Sequence, residues 1–317
     1  MNKGFWEKLD KPIMALAPLA DVTDAPFRSL IAKYGKPDVM FTEFVSADGL
    51  CSAGRSVLLK DLIYTQSERP IVAQIFGSKP ENIEKAAALV CEHGFDGIDI
   101  NMGCPDRSVE KQGAGACLIK NKKEAKEIVR AAKRGAGSLP VSVKTRTGYH
   151  KDEIESWVGA LLEEELAVIT IHARTRKEMS KVPARWENVK EAALLAEGTG
   201  TLILGNGDVR DIRHARERAQ ETGADGIMLG RAIFGNPWLF AEYTPLLEEK
   251  LRVMVEHTNL FEELLGDVKN FAIMKKHYKA YVNGFDGAKE LRMELMEAHN
   301  AKEVEKLVED FLKMRGV

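Results

Sequence analysis

A cysteine that follows a short apolar run is the residue of this sequence best placed to do chemistry. Cys104 lies in Asp99-Ile100-Asn101-Met102-Gly103-Cys104-Pro105, just ahead of a glycine-rich stretch. A strand that leads into a Gly-Cys-Pro turn would hold a reactive side chain at the C-terminal rim of a sheet or barrel, where α/β folds keep their chemistry. Buried cysteines more often act as small hydrophobic residues. The spacing alone leaves these two interpretations equally open.

Polar residues also stand at the ends of several other apolar runs. Lys144 ends Val141-Ser142-Val143-Lys144, and His172 ends Ile169-Thr170-Ile171-His172. Each has an ordinary explanation, because a lysine can snorkel to solvent and a polar strand-end residue can cap a loop. So many polar residues at one rim are, however, hard to explain as packing, and they indicate a binding site. The residues at or just after the ends of the runs are Ala17, Pro18, Glu43, Gln74, Asn101, Cys104, Lys144, Arg146, His172, Arg174, Asn206, Asp208, Gly230 and Arg231.

Eight short β-rich runs must position these residues. They cover 13–17, 39–43, 71–75, 97–101, 141–145, 168–172, 201–205 and 226–230, with amphipathic segments such as 80–93 and 122–134 between them. Eight β–α units over about 240 residues predict a (β/α)₈ TIM barrel, in which the carboxyl ends of the strands meet at one mouth. A doubly wound sheet is the alternative, because a strand count from one sequence is prone to error.

The sequence changes character after Pro245, where the β-rich runs stop. Residues 246–317 read as helices with breaks near Asn283-Gly284 and Asn300, and Asn300 is the predicted N-cap of the last helix. We therefore predict an α/β chain with two domains. Residues 1–243 form the barrel, and residues 244–317 form a small all-α helical bundle.

Two glycine-rich turns follow the last predicted strands. Gly205-Asn206-Gly207-Asp208 follows the seventh, and Gly230-Arg231 follows the eighth. In barrels these two loops frequently build a phosphate site, to which Arg231 would add charged donors. Because no G-x-G-x-x-G fingerprint is present, a Rossmann-bound dinucleotide is disfavoured and a mononucleotide such as FMN fits better. Lys144 could then stabilise negative charge on the reduced flavin ring.

Composition limits the possible partners. The 317 residues carry 46 basic and 48 acidic side chains, a formal net charge of −2, which argues against a generally basic nucleic-acid binder and requires a local patch for any such contact. No apolar run reaches the roughly 20 residues of a membrane span, and the N-terminus lacks a secretory h-region, so we expect a cytoplasmic protein. The four cysteines show no metal-ligand spacing, so we expect no metal.

The motifs above occur in a recognisable order. They are Ala17-Pro18-Leu19-Ala20-Asp21-Val22-Thr23-Asp24-Ala25-Pro26-Phe27-Arg28, Gln74-Ile75-Phe76-Gly77, Asp99 to Pro105, Gly113-Ala114-Gly115-Ala116-Cys117-Leu118, Val143-Lys144-Thr145-Arg146-Thr147-Gly148, Thr170-Ile171-His172-Ala173-Arg174-Thr175-Arg176, Asn206-Gly207-Asp208 and Gly223 to Arg231. In order and spacing they resemble the tRNA-dihydrouridine synthases. The resemblance extends to Lys275-Lys276-His277 and Gly287 to Arg292, so it covers nearly the whole chain. Leu19, Asp21 and Ala173 depart from it, the first two beside the expected flavin.

The resemblance implies a specific reaction. FMN would lie in the barrel mouth, NAD(P)H would reduce it, and hydride would pass to C6 of a uridine in the D-arm of tRNA. Cys104 would be the general acid that protonates C5, carried on a mobile glycine-rich loop. The implied cofactor residues are Ala17, Pro18, Leu19, Gln74, Lys144, His172, Asn206, Gly207, Asp208, Gly230 and Arg231. The implied substrate residues are Asn101, Arg174, Arg176, Lys275, Lys276 and Arg292.

A basic segment in the helical domain offers a surface for RNA. Six basic residues, Lys269, Lys275, Lys276, Lys279, Lys289 and Arg292, are interleaved with His277, Tyr278 and Tyr281. Phosphate contacts and base stacking could both arise there, although without the resemblance a solvated helix face is the simpler interpretation. Two other functions stay open. One is an FMN barrel dehydrogenase of a free pyrimidine such as dihydroorotate, and the other is a non-catalytic RNA-binding factor. We expect a monomer.

Overall fold

A computed structural model describes residues 2–316, so Met1 and Val317, which end the two predicted domains, lie outside the described residues. Eight strands occur where the sequence predicts them. They are β1 (Ile13–Leu16), β2 (Met40–Ser46), β3 (Ile71–Phe76), β4 (Gly97–Met102), β5 (Val141–Arg146), β6 (Val168–His172), β7 (Leu202–Asn206) and β8 (Gly226–Leu229). The largest difference is in β2, which runs three residues past its predicted end.

All strand pairs are parallel, and the order is β1-β8-β7-β6-β5-β4-β3-β2. The circle closes where Ala15 pairs with Val39 and the amide of Leu16 donates to the carbonyl of Val39 at 3.0 Å. Closure of eight parallel strands is the defining property of a (β/α)₈ barrel. The predicted TIM barrel is therefore confirmed, and the doubly wound sheet is wrong.

Side chains that alternate between the two faces of each strand form two separate apolar clusters, one outside the sheet and one inside the barrel. On β4, Ile98 and Ile100 belong to the main core between the sheet and its helices. A smaller cluster fills the barrel interior and contains Ala15, Phe41 and Met228, among others. Because side chains alternate between the two faces of a strand, Asp99 and Asn101 face the interior instead. Inward-facing positions near the strand ends thus lead directly into the mouth of the barrel.

Thirteen α-helices lie within residues 2–316. In the barrel these are α1 (Ala25–Tyr34), α2 (Ala47–Leu50), α3 (Arg55–Leu58), α4 (Pro80–Glu92), α5 (Arg107–Glu110), α6 (Lys122–Ala136), α7 (Ile154–Leu162), α8 (Trp186–Ala196) and α9 (Ile212–Thr222). The two predicted amphipathic segments correspond to α4 and α6. The helices α4 and α6 pack closely at Gly135, where a Cβ atom would lie 2.0 Å from the carbonyl oxygen of Glu84.

Helices alone follow the last strand, as predicted. They are α10 (Leu247–Leu265), α11 (Met274–Tyr281), α12 (Ala288–Glu297) and α13 (Ala301–Met314). The side chain of Asn300 accepts a hydrogen bond from the amide of Glu303 at 3.0 Å, which confirms the predicted N-cap of α13. No helix within residues 2–316 is long and apolar enough to cross a membrane. The domain boundary near residue 243 and the monomeric state stay predictions.

The packing of α11 corrects one expectation. His277, Tyr278 and Tyr281 were predicted to form a stacking surface, but all three are fully buried. His277 packs against Phe27 of α1, with ring centroids 5.1 Å apart, and against His257 of α10. These rings therefore belong to the contact between the helical region and the barrel, and they cannot stack on a base in this state.

Candidate active site

A cavity of about 300 Å³ opens at the carboxyl ends of the barrel strands, at the lower end of the range for small-molecule sites. Fourteen of the residues predicted to act in the site line it. They are Ala17, Pro18, Leu19, Gln74, Asn101, Cys104, Lys144, His172, Arg174, Asn206, Gly207, Asp208, Gly230 and Arg231. The residues come from seven of the eight strand ends, so the fold brings together groups up to 214 positions apart in sequence.

The Cys104 thiol lies half-buried at the cavity wall. Its backbone amide donates to Oδ1 of Asn101 at 2.9 Å, and Arg146 Nε donates to the neighbouring Gly103 carbonyl at 2.7 Å. Burial raises the pKa of the Cys104 thiol above its ordinary value. The thiol is therefore protonated at neutral pH, as a proton donor must be. A nucleophilic thiolate would need the opposite shift.

Three buried side chains form a chain of hydrogen bonds beneath Cys104. Nε2 of Gln74 donates to Asp99 Oδ2 at 2.7 Å, and Nδ2 of Asn101 donates to Gln74 Oε1 at 2.9 Å. Oδ1 of Asn101 then accepts from the amides of Gly103 at 3.1 Å and Cys104 at 2.9 Å. Each side-chain amide is thereby left with one N–H for a ligand, and the oxygen of Asn101 already accepts two hydrogen bonds.

Lys144 enters the cavity from β5. Burial and the neighbouring Arg146 guanidinium lower the pKa of the Lys144 ammonium to about 8. Its Nζ lies 3.4 Å from Asn206 Oδ1, and Nδ2 of Asn206 donates to the Met228 carbonyl at 2.7 Å. The Asn206 amide thus spans β7 and β8 and turns its oxygen toward the lysine. This leaves Lys144 with donors to spare for an anionic ligand.

His172 is neutral in this arrangement. Nη1 of Arg174 lies 3.1 Å from His172 Nε2, and a guanidinium only donates, so Nε2 accepts and the proton is on Nδ1. Burial, together with the nearby cations Lys144 and Arg146, lowers the pKa of His172 well below its ordinary value. His172 can therefore offer a neutral N–H to a ligand.

A turn after β7 holds two arginines. Asp208, with a φ of 52°, accepts from Arg231 Nη2 at 2.6 Å and also pairs with Arg174. The preceding Gly207 has a φ of 138°, a region that favours glycine. Asp208 carries the same sign of charge as a phosphate, so we assign it to holding the arginines and not to direct contact with an anion. Besides Asp208, the charged residues of the cavity lining include four cationic side chains, Lys144, Arg146, Arg174 and Arg231.

The donor set fits an anionic flavin mononucleotide. The lining carries four cationic side chains and one carboxylate, and at Gly230 a Cβ atom would meet no atom closer than 3.7 Å. Phosphate prefers arginine forks and backbone N–H groups. Lys144 and the spare N–H of Gln74 lie deeper and can face a polar ring. The residues present therefore suit the group that the resemblance implies.

Four predicted substrate residues lie outside the cavity lining. Arg176 bonds both carboxylate oxygens of Glu110 and the Pro105 carbonyl, so it anchors the segment after Cys104 that was predicted to be mobile. Arg292 donates to the Val282 carbonyl at 3.0 Å. The other two are the half-buried Lys275 and Lys276, and Nζ of Lys276 is 3.8 Å from Asp21 Oδ2.

Lys269 also differs from its predicted place on an RNA surface. It is 15% exposed and pairs with Glu43 at 2.9 Å and Asp61 at 2.8 Å. Glu43 Oε1 in turn accepts from the Asp21 amide at 2.5 Å. The lysine therefore links the helical region to the loop after β1 and is not free for phosphate.

Arg146, which the sequence places in the strand-end set, lines the cavity as well. Sequence reasoning assigned no role to two other residues that matter here. Alternation along β4 places Asp99 on the same face as Asn101. Phe44 lines the cavity from β2 and packs edge-on against Phe76, with centroids 5.7 Å apart. A lone phenylalanine in a strand carries no sequence signal for a site.

Solved structures resemble the fold. A variant of NCR from Zymomonas mobilis matches with a TM-score of 0.51 and 18% identity, over 74% of this chain and 87% of that one. A 2-naphthoyl-CoA reductase bound to 2-naphthoyl-CoA matches with a TM-score of 0.56 and 14% identity, over 73% of this chain and 50% of that one. At such identities the likeness supports the barrel fold alone.

Sequence relatives are much more similar. The probable tRNA-dihydrouridine synthase 2 of Bacillus subtilis is 41% identical over 98% of this chain and 97% of its own length. The probable tRNA-dihydrouridine synthase of Staphylococcus aureus is 40% identical over 98% of this chain and 96% of its own length. The model of the dihydrouridine synthase family matches residues 15–315. The chain therefore belongs to the dihydrouridine synthase family.

Proposed function

We propose that this protein is a tRNA-dihydrouridine synthase that reduces the C5–C6 double bond of a D-arm uridine with FMN and NAD(P)H. Its family membership makes it an oxidoreductase, and its relatives are named as tRNA-modifying enzymes. The single observation that carries the proposal is the position of the Cys104 thiol at the wall of a cavity lined by four cationic side chains. Burial raises the pKa of this thiol, which favours its protonated form and suits proton donation to carbon.

The cofactor would be held by residues of two kinds. Arg231, with Asn206, Gly207 and Gly230 around it, would bind the phosphate, and Asp208 would orient Arg231. Gln74, Lys144 and His172 would face the ring, each with an N–H to donate, and Ala17, Pro18 and Leu19 would form the apolar wall. When bound, FMN would take two electrons from NAD(P)H and supply a hydride for C6.

The chain itself would supply the proton and the orientation. Cys104 would transfer its thiol proton to C5 and regain one from solvent, so that uridine, NAD(P)H and one proton give dihydrouridine and NAD(P)⁺. The remaining N–H of Asn101 would donate to a carbonyl oxygen of the uracil. Arg174 would act through His172 and Asp208, which its guanidinium contacts, and not through the substrate.

A stacked uridine must leave its helix to reach this cavity, at a cost of a few kcal/mol. Phosphate contacts must offset that cost. We place them on Lys275 and Lys276 of α11, of which Lys276 lies near the loop after β1 at the cavity side. Arg292 would contribute through the α11–α12 connection that it braces. Because His277 and the two tyrosines are buried, the contact would be electrostatic and weaken with salt.

The test is an assay of dihydrouridine in tRNA that lacks the modification, with purified protein, FMN and NADPH. Cys104→Ala should lower product formation by about 10²-fold or more, the usual contribution of a general acid. NADPH should still bleach the flavin band of this variant at the wild-type rate. Cys117→Ala is the matched control, because this half-exposed cysteine lies in the same segment outside the cavity lining.

Three other results of this assay would favour a different function or a different proton donor. Wild-type protein with flavin bands but no tRNA product would overturn the proposal in favour of a free pyrimidine such as dihydroorotate. Protein that binds tRNA but takes up no flavin would favour a non-catalytic RNA-binding factor. Full activity of Cys104→Ala would leave the enzyme in place and remove the assigned acid.

A further inference from the structure

Asp99 is a buried carboxylate beneath the cavity to which neither the motif reasoning nor the proposed reaction gives a role. It is fully buried in the barrel interior on β4. Oδ1 accepts from Ser142 Oγ at 2.6 Å, and Oδ2 accepts from Gln74 Nε2 at 2.7 Å. Burying a charge is costly unless the group is paired and hydrogen-bonded. A carboxylate kept at this position therefore calls for a function.

The carboxylate is the buried end of a chain of hydrogen bonds that runs in one direction. An ionised carboxylate only accepts, so Gln74 must turn its NH₂ toward Asp99 and its oxygen toward Asn101. That oxygen only accepts as well, so Asn101 must turn its own NH₂ toward Gln74. Oδ1 of Asn101 is then directed at the amides of Gly103 and Cys104. Backbone N–H groups only donate, so the amides of Gly103 and Cys104 require the same orientation of Asn101 from the other end of the chain. Without Asp99, Nε2 of Gln74 would lose its acceptor, and the chain of hydrogen bonds would lose its buried anchor.

We propose that Asp99 is a positioning residue that anchors Gln74 and, through it, Asn101 and thereby holds the Cys104 segment at the end of β4. The inference rests on the proposed function only in calling Cys104 the proton donor. It also bears on what the cavity offers, because each of the two amides keeps one N–H and the oxygen of Asn101 already accepts two hydrogen bonds. A ligand group beside Asn101 is therefore expected to be an acceptor, such as a carbonyl oxygen of a pyrimidine.

The pKa of Asp99 agrees with its role as an ionised hydrogen-bond acceptor. Burial raises the pKa of Asp99 to about 6, while hydrogen bonds from Ser142 and Gln74 and the charge of Lys144 oppose the rise. At pH 7.5 the group is thus still a carboxylate. Asp99 is also fully buried between Gln74 of β3 and Ser142 of β5, so water cannot replace it as the acceptor.

Two substitutions separate positioning from simple packing. Asp99→Asn keeps an oxygen for Gln74, and its NH₂ can face Ser142, whose hydroxyl can turn to the Ile98 carbonyl at 3.3 Å. Asp99→Leu has a similar size but no acceptor. Thr170→Val is the matched control, because Thr170 is a fully buried residue of β6 whose hydroxyl has no hydrogen-bond partner among residues 2–316.

The first readout is the rate at which iodoacetamide alkylates Cys104 in flavin-free protein, in a background where Cys51, Cys91 and Cys117 are replaced by alanine. Asp99→Leu should speed alkylation at least fivefold across the pH profile, because the segment loses its anchor. Asp99→Asn and Thr170→Val should stay within twofold of the parent. An unchanged or slower rate for Asp99→Leu, or an Asp99→Asn rate equal to that of Asp99→Leu, would overturn the inference.

The second readout is the reduction of tRNA uridine by the flavin-loaded enzyme. Asp99→Leu should lower kcat at least tenfold with KM for tRNA within twofold, and Asp99→Asn should restore kcat. If the wild-type protein makes no dihydrouridine, the proposed function fails while alkylation still decides the role of Asp99. If Asp99→Leu does not fold, Gln74→Met breaks the same chain one link nearer to Cys104. It should speed alkylation of the flavin-free protein equally, and an unchanged rate would overturn the inference.

Discussion

Asp24 should make the stability of this protein fall as the pH rises through neutrality. The residue is 1% exposed and caps α1, where Oδ1 accepts from the Phe27 amide at 3.1 Å. Its second oxygen has no hydrogen-bond partner among residues 2–316. Burial first, and then the nearby charge of Glu43, raise the pKa of Asp24 from 3.8 to about 7. The folded protein thus keeps a proton that the unfolded chain releases.

The magnitude follows from the shift. Each unit corresponds to about 1.4 kcal/mol, so a shift of about three units costs about 4 kcal/mol once the pH exceeds 7. The cost is absent below the unfolded pKa near 4 and grows as the pH rises toward the folded value. Between pH 5 and pH 8.5 the change is about 3 kcal/mol. Asp24→Asn keeps the N-cap and removes this dependence, because asparagine caps helices as well as aspartate does.

Urea denaturation at pH 5 and pH 8.5 measures the effect. The difference in unfolding free energy between Asp24→Asn and the wild type should move by about 3 kcal/mol in favour of the variant at the higher pH. Asp211→Asn is the matched control, because Asp211 caps α9 in the same way from an exposed position. A difference for Asp24→Asn that is the same at both pH values would refute the reasoning.

Two further predictions concern packing and are measured by the same urea denaturation. Arg28 and Glu68 form an ion pair in which both side chains are fully buried, so Arg28→Met should destabilise by about 3–5 kcal/mol by leaving the carboxylate unpaired; a loss below 1 kcal/mol would contradict this. Gly159 of α7 has open space where a Cβ would go, so Gly159→Ala should stabilise by about 0.5–1 kcal/mol. Gly135→Ala should destabilise by more than 2 kcal/mol because its Cβ would overlap the Glu84 carbonyl; equal effects of the two glycine substitutions would show that the close α4–α6 contact is absent.

Strand periodicity explains why the barrel and its mouth could be predicted. Each strand is a short run whose inward residues alternate with residues that pack on the helices, and this pattern is local in sequence. Lys144 and His172 could be placed at strand ends by it, and both line the cavity. The mouth of a closed parallel barrel then collects the strand ends without further information.

The direction of the polar network could not be predicted, since it depends on contacts between strands. Asp99 is the first residue of the cysteine motif, yet its effect passes through Gln74, which is 25 positions away. Asp208 was predicted to be a cofactor residue and lies in a glycine-rich turn. Only the structure shows that it faces Arg174 and Arg231.

The roles of the charged residues in the helical region could not be predicted from the sequence either. A run of lysines and aromatic residues has one meaning on a solvated helix and another on a helix packed against a barrel, and the sequence of α11 alone does not distinguish them. Glu43 supplies the distinction, because this buried carboxylate within β2 needs a cation, and Lys269 provides one. Lys269 of the basic segment is thereby used to join the helical region to β2 of the barrel. The RNA contact that we propose would then depend on the basic residues that remain, and we propose Lys275 and Lys276 among them.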